Sequence, residues 1–128
     1  MDKRESGNKG ESFAAEYYRK LGFEIKERNY HCRGGEIDII ASSEEYIVFV
    51  EVKNRTDGSL YLPKEAVDEK KQRKLTVAAM KYLSENETGK QPQFDVFEVY
   101  SNNGRIYKFK RIENAFETID FGGRYDIF

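Results

Sequence analysis

Cysteine and histidine are almost absent from this 128-residue chain, which contains one of each. A single cysteine, Cys32, excludes an intrachain disulfide, a CxxC redox pair and a cysteine-rich zinc site. The neighbouring His31 makes a His-Cys pair, but this pair offers too few ligands for a structural zinc site. We therefore expect both residues to have an ordinary role in a loop or at a strand edge.

Long apolar runs are also absent. The longest uninterrupted one, Tyr46–Val50, is far shorter than a bilayer-spanning helix requires. The polar start, Met1–Glu5, lacks the apolar segment of a secretory signal. We expect no membrane interaction and a cytoplasmic location.

An excess of charge of one sign is missing as well, because 22 basic residues face 23 acidic ones and the formal net charge is −1. A near-neutral total argues against indiscriminate binding of nucleic acid, but it leaves room for a basic groove around an acidic site. The length suits one compact domain, residues 1–128. The composition, 35% charged and 38% hydrophobic, is typical of a globular protein.

Hydrophobic periodicity and turn residues predict the helices and strands. Helices are expected from about Ser6–Gly10 to Lys20 or Leu21, and from about Lys64 to Asn86. Strands are expected at Phe23–Arg28, Gly35–Ile40, Val48–Lys53, Phe94–Tyr100 and Arg105–Ile112. The connections are Asn29–Gly35, Ser42–Glu45, an irregular stretch Asn54–Pro63, the hairpin turn Asn102–Gly104 and a closing turn Glu113–Phe116. The order α-β-β-β-α-β-β predicts an α/β fold in which helices flank a mixed β-sheet.

Two of these strands carry acids inside apolar runs, namely Asp38 in one and Glu51-Val52-Lys53 in the next. Burying an unpaired carboxylate is costly, so each acid needs a partner. Residues i and i+2 of a strand point to the same face, so Glu51 and Lys53 project together, and Asp38 joins them if the two strands are neighbours. A hard divalent cation such as Mg²⁺ would satisfy this cluster, with the carbonyl of Val52 as a further oxygen ligand.

This pattern favours phosphodiester hydrolysis. Attack on a phosphate diester requires a cation that neutralises the phosphate oxygens and a positive group or base near the attacking water. Asp38 and Glu51 would hold the metal and Lys53 would orient or activate the water; alternatively, Lys53 is only a salt-bridge partner of Glu51. A glycosidase is disfavoured, because a lysine beside a carboxylate suits phosphate charge better than an oxocarbenium-like centre.

Other charged residues fall near these strands. Lys71 lies on the apolar stripe of the second helix, one turn from both Val67 and Leu75, and needs an acidic partner or a phosphate there. Asp95 is expected to fix a strand end or a basic neighbour rather than to bind metal. Three arginines flank the acidic strands and are candidates to clamp phosphates: Arg28, Arg33 and Arg55.

Taken together, these motifs resemble the bacterial YraN-type family of predicted endonucleases. The resemblance runs from about Asn8 to Phe116 and leaves residues 117–128 as a C-terminal extension without assigned function. That family looks like a branch of the PD-(D/E)xK nuclease superfamily, although Ile37 replaces the superfamily's nominal proline. The motifs that carry the resemblance are Gly10-Glu11, Arg28-Asn29, Gly35–Ile40, Val48–Lys53 with Arg55, Lys71-Gln72 and Phe94-Asp95-Val96.

The resemblance implies a restriction-endonuclease-like fold and a metal-dependent enzyme. The motif layout is closest to that of archaeal Holliday-junction resolvases, which are homodimers. The implied catalytic residues are Glu11, Asp38, Glu51 and Lys53, with Lys71 and Gln72 as auxiliaries on the second helix. Combined with the arguments above, the expected ligands of Mg²⁺, or of Mn²⁺ as a substitute, are Glu11, Asp38, Glu51 and the Val52 carbonyl, Gln72 joins the expected catalytic residues, and the expected DNA contacts are Arg28, Arg33, Arg55 and Lys71.

The leading hypothesis is therefore a Mg²⁺-dependent endonuclease that hydrolyses DNA phosphodiester bonds, with branched or recombination and repair DNA as candidate substrates. Two alternatives use the same fold. One is a catalytically silent nucleic-acid-binding module, and the other is an assembly protein in which the acids form structural salt bridges.

Overall fold

The computed structural model describes the backbone of residues 3–56 and 68–116, and the side chains from Asn8 onward within these ranges. The elements, in chain order, are α1 Lys3–Lys20, β1 Glu24–Cys32, β2 Gly35–Ser42, β3 Tyr46–Thr56, α2 Glu69–Glu85, β4 Gln91–Asn102 and β5 Arg105–Ile112. This order, α-β-β-β-α-β-β, confirms the predicted α/β fold, a mixed sheet flanked by helices that is consistent with the restriction-endonuclease-like architecture.

One five-stranded sheet forms the centre of the molecule, in the order β1-β2-β3-β4-β5. Only β3 and β4 pair in parallel, and the other neighbours are antiparallel. A parallel pair needs a crossover connection, and α2 lies within this one. Neither described helix is long and apolar enough to cross a membrane.

The two helices cover opposite faces of the sheet, because successive strand residues point to opposite sides. Val48 and Val50 of β3 pack in the cluster that contains Ala14, Ala15 and Tyr18 of α1. Ile47 and Phe49, the alternating residues, pack instead with α2, through Leu75, Ala78, Ala79 and Tyr82. Each fully buried large side chain stabilises the fold by roughly 1.5–3 kcal/mol. The predicted apolar stripe of α2 is thereby confirmed for its described residues.

The contact between α2 and β2 depends on a glycine. A Cβ built on Gly35 would overlap the backbone oxygen of Lys74 and approach Ala78 Cβ to 3.1 Å. Because α2 contacts the start of β2 this closely, any larger residue there would push the helix away. The same helix carries Lys71, so this packing also places a charged group near the acidic strands.

Several predicted boundaries are wrong. The strand β1 continues to Cys32, because its ladder with β2 runs on to Gly35, and only Arg33 and Gly34 remain as a turn. The strand β3 continues to Thr56, which pairs with Ser101 of β4. His31 and Cys32 thus lie in a strand at the edge of the sheet, one of the two ordinary roles expected for them.

The helix α2 begins at Glu69, later than the predicted Lys64. Asp68 has an extended backbone, and its carboxylate accepts a hydrogen bond from the Lys71 N–H at 2.8 Å, so it caps the helix. The strand β4 is also longer than predicted, because its parallel ladder with β3 starts at Gln91 and ends at Ser101. The rest of the predicted irregular stretch, the sequence around Lys64 and the C-terminal extension 117–128 lie outside the described residues.

Candidate active site

The strands β2 and β3 stop pairing through their backbones at Asp38. Their ladder ends with the pair Ile39 and Val50. Beyond this pair a side chain replaces the backbone contact: the Oδ2 of Asp38 accepts a hydrogen bond from the Val52 N–H at 2.8 Å. The N–H and C=O of one strand residue point to the same side, so the Val52 carbonyl also points toward β2. An aspartate oxygen and a backbone oxygen therefore face the space between the separated strands.

Glu51 is the most unusual carboxylate at this site. It is only 4% exposed, yet its Oε2 has no hydrogen-bond partner within the described part of the chain. Its other oxygen, Oε1, lies 3.5 Å from the Lys53 ammonium and 3.3 Å from that of Lys71. The two lysines come from different elements, β3 and α2. The predicted side-chain group Asp38, Glu51, Lys53 and Lys71 is thus brought together at one place.

The pKa values of these groups show how strongly they are coupled. Burial raises the pKa of Glu51 to about 7, and the charge of Asp38 adds to the effect while Lys71 and Lys53 oppose it. Burial also raises the pKa of Asp38, despite the hydrogen bond from Val52. Burial alone would lower the pKa of Lys71, but the attraction of Glu51 and Asp38 outweighs it and raises that pKa. Burial thus disfavours the ionised form of both carboxylates more than the two lysines favour it, and an additional cation would stabilise that form.

Glu11 is held beside this group by two donors from β1. Its Oε1 accepts hydrogen bonds from Arg28 Nε at 3.2 Å and from Asn29 Nδ2 at 3.0 Å. The side chain is 8% exposed, and its charge contributes to the raised pKa of Asp38. Arg28 also donates to the Ser12 hydroxyl at 3.1 Å. Arg28, predicted as a DNA contact, therefore links β1 to the middle of α1, where Glu11 and Ser12 lie.

The other predicted residues occupy different surroundings. Arg33 is exposed in the turn between β1 and β2, whereas Gln72 is half-buried in the first turns of α2. Arg55 is only 6% exposed, and its guanidinium donates to Glu98 Oε2 from two nitrogens at 3.3 and 3.2 Å. A buried, paired arginine does not present itself to a phosphate, so we exclude Arg55 from the DNA contacts.

Two residues of these hydrogen-bond networks are not indicated by the sequence pattern. Glu98 is buried on β4, where it is the strand-pairing partner of Lys53, and its carboxylate accepts hydrogen bonds from Arg55 and the Tyr100 hydroxyl. Asn29 reaches Glu11 from β1. The pair Arg28-Asn29 was noticed as a motif, but nothing in its spacing indicated that the asparagine contacts the helix. The buried position of Glu98 follows from strand pairing, which one sequence does not reveal.

Among residues 3–56 and 68–116, no three acidic, histidine or cysteine side chains form a group that could hold a metal ion. The oxygen ligands available here are instead the carboxylates of Asp38 and Glu51, whose charges interact, and the Val52 backbone, and the charge of Glu11 also acts on Asp38. Mg²⁺ is usually bound by one or two carboxylates, with waters and substrate phosphates completing its octahedron. Two carboxylates and a carbonyl are consistent with this coordination.

Comparison with known proteins places the chain in a family. The model of the "Uncharacterised protein family UPF0102" matches residues 10–99. The chain belongs to the UPF0102 family. A UPF0102 protein of Caldanaerobacter subterraneus subsp. tengcongensis is 45% identical over 119 residues, which cover 91% of this chain and 98% of the relative.

Two other UPF0102 proteins match this chain over their whole length. One from Caldicellulosiruptor saccharolyticus is 44% identical over 119 residues, covering 91% of this chain and 100% of its own length. One from Clostridioides difficile is 42% identical over 117 residues, covering 91% and 100%. The matched UPF0102 segment spans every candidate site residue, from Glu11 to Gln72.

Proposed function

We propose that this UPF0102 chain is a Mg²⁺-dependent endonuclease-like protein of the YraN type, within the PD-(D/E)xK superfamily, that hydrolyses DNA phosphodiester bonds. One observation carries the proposal: the buried Glu51 keeps an unpartnered oxygen beside Asp38, with the ammonium groups of Lys53 and Lys71 on its other oxygen. Buried polar groups are nearly always hydrogen-bonded, so an exception of this kind calls for an absent partner.

A divalent cation is the partner that suits these oxygen ligands. Asp38 and Glu51 would hold it, the Val52 carbonyl would add an oxygen, and Glu11 would lie next to it. When bound, such a cation neutralises phosphate oxygens and makes water more acidic. The raised pKa of Glu51 points the same way, because a positive charge there would offset both the burial of the carboxylate and its repulsion by Asp38.

The two lysines, Lys53 and Lys71, would interact with the phosphate. Lys53 is 27% exposed, so it is able both to hold Glu51 and to reach a water or a phosphate oxygen at the site. Lys71 is equally accessible and pairs with Glu51 and, at 3.9 Å, with Glu36. In the proposed reaction Lys53 orients the attacking water and stabilises developing negative charge, and Lys71 with Gln72 positions the phosphate.

DNA is the proposed substrate, with branched or repair intermediates as the leading candidates. Arg33 is exposed in the turn and Arg28 is one-third exposed, so both are accessible to backbone phosphates. The near-neutral net charge favours recognition confined to this region over general adhesion to nucleic acid. A cytoplasmic location and a homodimeric form complete the proposal.

Calorimetric titration with Mn²⁺ separates this proposal from its alternatives. The full chain should bind Mn²⁺, and the variant Asp38→Ala should lose that binding because one of the two carboxylates is gone. A silent nucleic-acid-binding module would show salt-sensitive DNA binding without metal-dependent cleavage. An assembly protein, in which the acids only pair with lysines, would bind no Mn²⁺ even at millimolar concentration, and that result would contradict the proposed function.

A further inference from the structure

Asn29 has a backbone conformation that a strand residue rarely adopts. Its φ is 54° although it lies inside β1. The other left-handed residues besides glycine that the structure describes are Asn103 and Asn114, and both lie at turns. Glycine adopts this conformation at less cost than any other residue. A side chain retained at such a position therefore suggests that the side chain itself is used.

The position of Asn29 in the sheet places its side chain against Glu11. Its neighbours Arg28 and Tyr30 pair with Ile39 and Ile37, so Asn29 lies opposite Asp38. From there its Nδ2 donates a 3.0 Å hydrogen bond to Glu11 Oε1. The left-handed backbone thus directs an amide donor from the edge strand onto a nearly buried carboxylate of α1.

The two side-chain hydrogen bonds to Glu11 that the structure describes end on the same oxygen. Arg28 Nε and Asn29 Nδ2 share Oε1, and they leave Oε2 to other partners. Two donors also fix the orientation of the carboxylate better than the arginine alone. The charge of Glu11 interacts with Asp38 and contributes to its raised pKa. A Glu11 carboxylate held in one orientation therefore contributes a defined negative potential at the candidate metal site.

We propose that Asn29 is a positioning residue: its left-handed backbone and its hydrogen bond to Glu11 Oε1 hold that carboxylate beside Asp38 in an orientation suited to a divalent cation. The inference rests on the proposed function, since it presumes that a cation binds there. Groups that orient the ligands of a metal site change metal affinity by roughly 10- to 100-fold when they are removed.

The test compares variants of the full chain that keep the backbone conformation accessible. Asn29→Gly removes the amide and retains the left-handed backbone, whereas Asn29→Asp replaces the donor by an acceptor that repels Glu11. Asn103→Gly makes the same change in the β4–β5 turn and is the matched control. Mn²⁺ affinity is measured by calorimetry, and the melting temperature is measured without metal.

We expect Asn29→Gly to bind Mn²⁺ at least about tenfold more weakly, with Asn29→Asp impaired as well and Asn103→Gly unchanged. The melting temperature of Asn29→Gly should stay close to that of the unsubstituted chain. Unchanged Mn²⁺ affinity in both Asn29 variants, or a loss that merely follows a lower melting temperature, would overturn the role of Asn29 and leave the proposed function standing. Absence of Mn²⁺ binding by the unsubstituted chain would overturn both.

Discussion

Two buried carboxylates on neighbouring strands have opposite surroundings. Asp95 of β4 is 1% exposed, and both of its oxygens are engaged, by Tyr18, Arg111, Gln93 and the N–H of Asn114. Glu51 of β3 is 4% exposed, and its Oε2 has no hydrogen-bond partner in the described part of the chain.

The difference is whether the described part of the chain itself satisfies the carboxylate. A fully satisfied buried network rigidifies the fold, and Asp95 does this by joining α1, β4 and the turn after β5. An unsatisfied buried acceptor costs free energy, so the Oε2 of Glu51 is an atom at which a further partner would be favourable. Glu98, buried but occupied by Arg55 and Tyr100, belongs with Asp95. By this criterion, Glu51 stands apart from the other buried acids.

The largest expected effect comes from Asp95→Ala. The substitution removes every hydrogen bond of this network and leaves Arg111, whose side chain is 13% exposed, without its main counterion. Breaking a buried ion pair by deleting one partner typically costs about 3 to 5 kcal/mol. The free energy of unfolding, measured by urea titration, should fall by that amount.

A graded control tests the same network. Gln93→Ala deletes one donor to Asp95 and should cost only about 1 kcal/mol, the usual net worth of a hydrogen bond. If Asp95→Ala were no more harmful than Gln93→Ala, the assignment of Asp95 as a structural carboxylate would be wrong.

A smaller effect of opposite sign is expected for Glu51→Gln, and it depends on pH. The pKa of Glu51 is raised from 4.5 to about 7, so the folded chain holds this proton more tightly than the unfolded chain does. Stability is therefore lost as the pH rises from about 4.5 to about 7. The glutamine variant escapes this loss, and at pH 8 without divalent metal it should be more stable than the unsubstituted chain by about 3 kcal/mol.

The comparison is made by thermal or urea unfolding at pH 5 and pH 8, with chelator present. The gain should be small at pH 5 and larger at pH 8. A variant that is less stable at pH 8 would show that the two lysines stabilise the Glu51 charge more than burial penalises it, and the contrast with Asp95 would disappear.

The sequence predicted the element order and the meeting of Asp38, Glu51 and Lys53, because strand periodicity alone places Glu51 and Lys53 on one face and an apolar strand needs a neighbour. It predicted a partner for Lys71 for a similar reason, since a charge on an apolar helical stripe must be satisfied. It also predicted that Asp95 would fix a basic neighbour, here Arg111.

Features that depend on the third dimension were not predictable in this way. The end of β3 was placed too early because polar residues such as Asn54 and Arg55 resemble a loop, whereas pairing with β4 keeps them in the strand. Arg55 was expected to contact a phosphate, but the neighbouring parallel strand β4 carries Glu98, which pairs with the arginine inside the protein. The left-handed conformation of Asn29 and its hydrogen bond to Glu11 of α1 depend on tertiary contacts, which no local pattern encodes.

The central claim is that Glu51, Asp38 and Lys53 form a metal-dependent site for phosphodiester hydrolysis. Its most direct test is to incubate labelled branched and linear DNA with the full chain and Mg²⁺, beside the variant Lys53→Ala and a chelator control. We predict cleavage by the unsubstituted chain, its loss with chelator, and a rate at least about a hundredfold lower for a still-folded Lys53→Ala. Equal cleavage with and without chelator, cleavage by Lys53→Ala at the unsubstituted rate, or no cleavage of any DNA would contradict the claim.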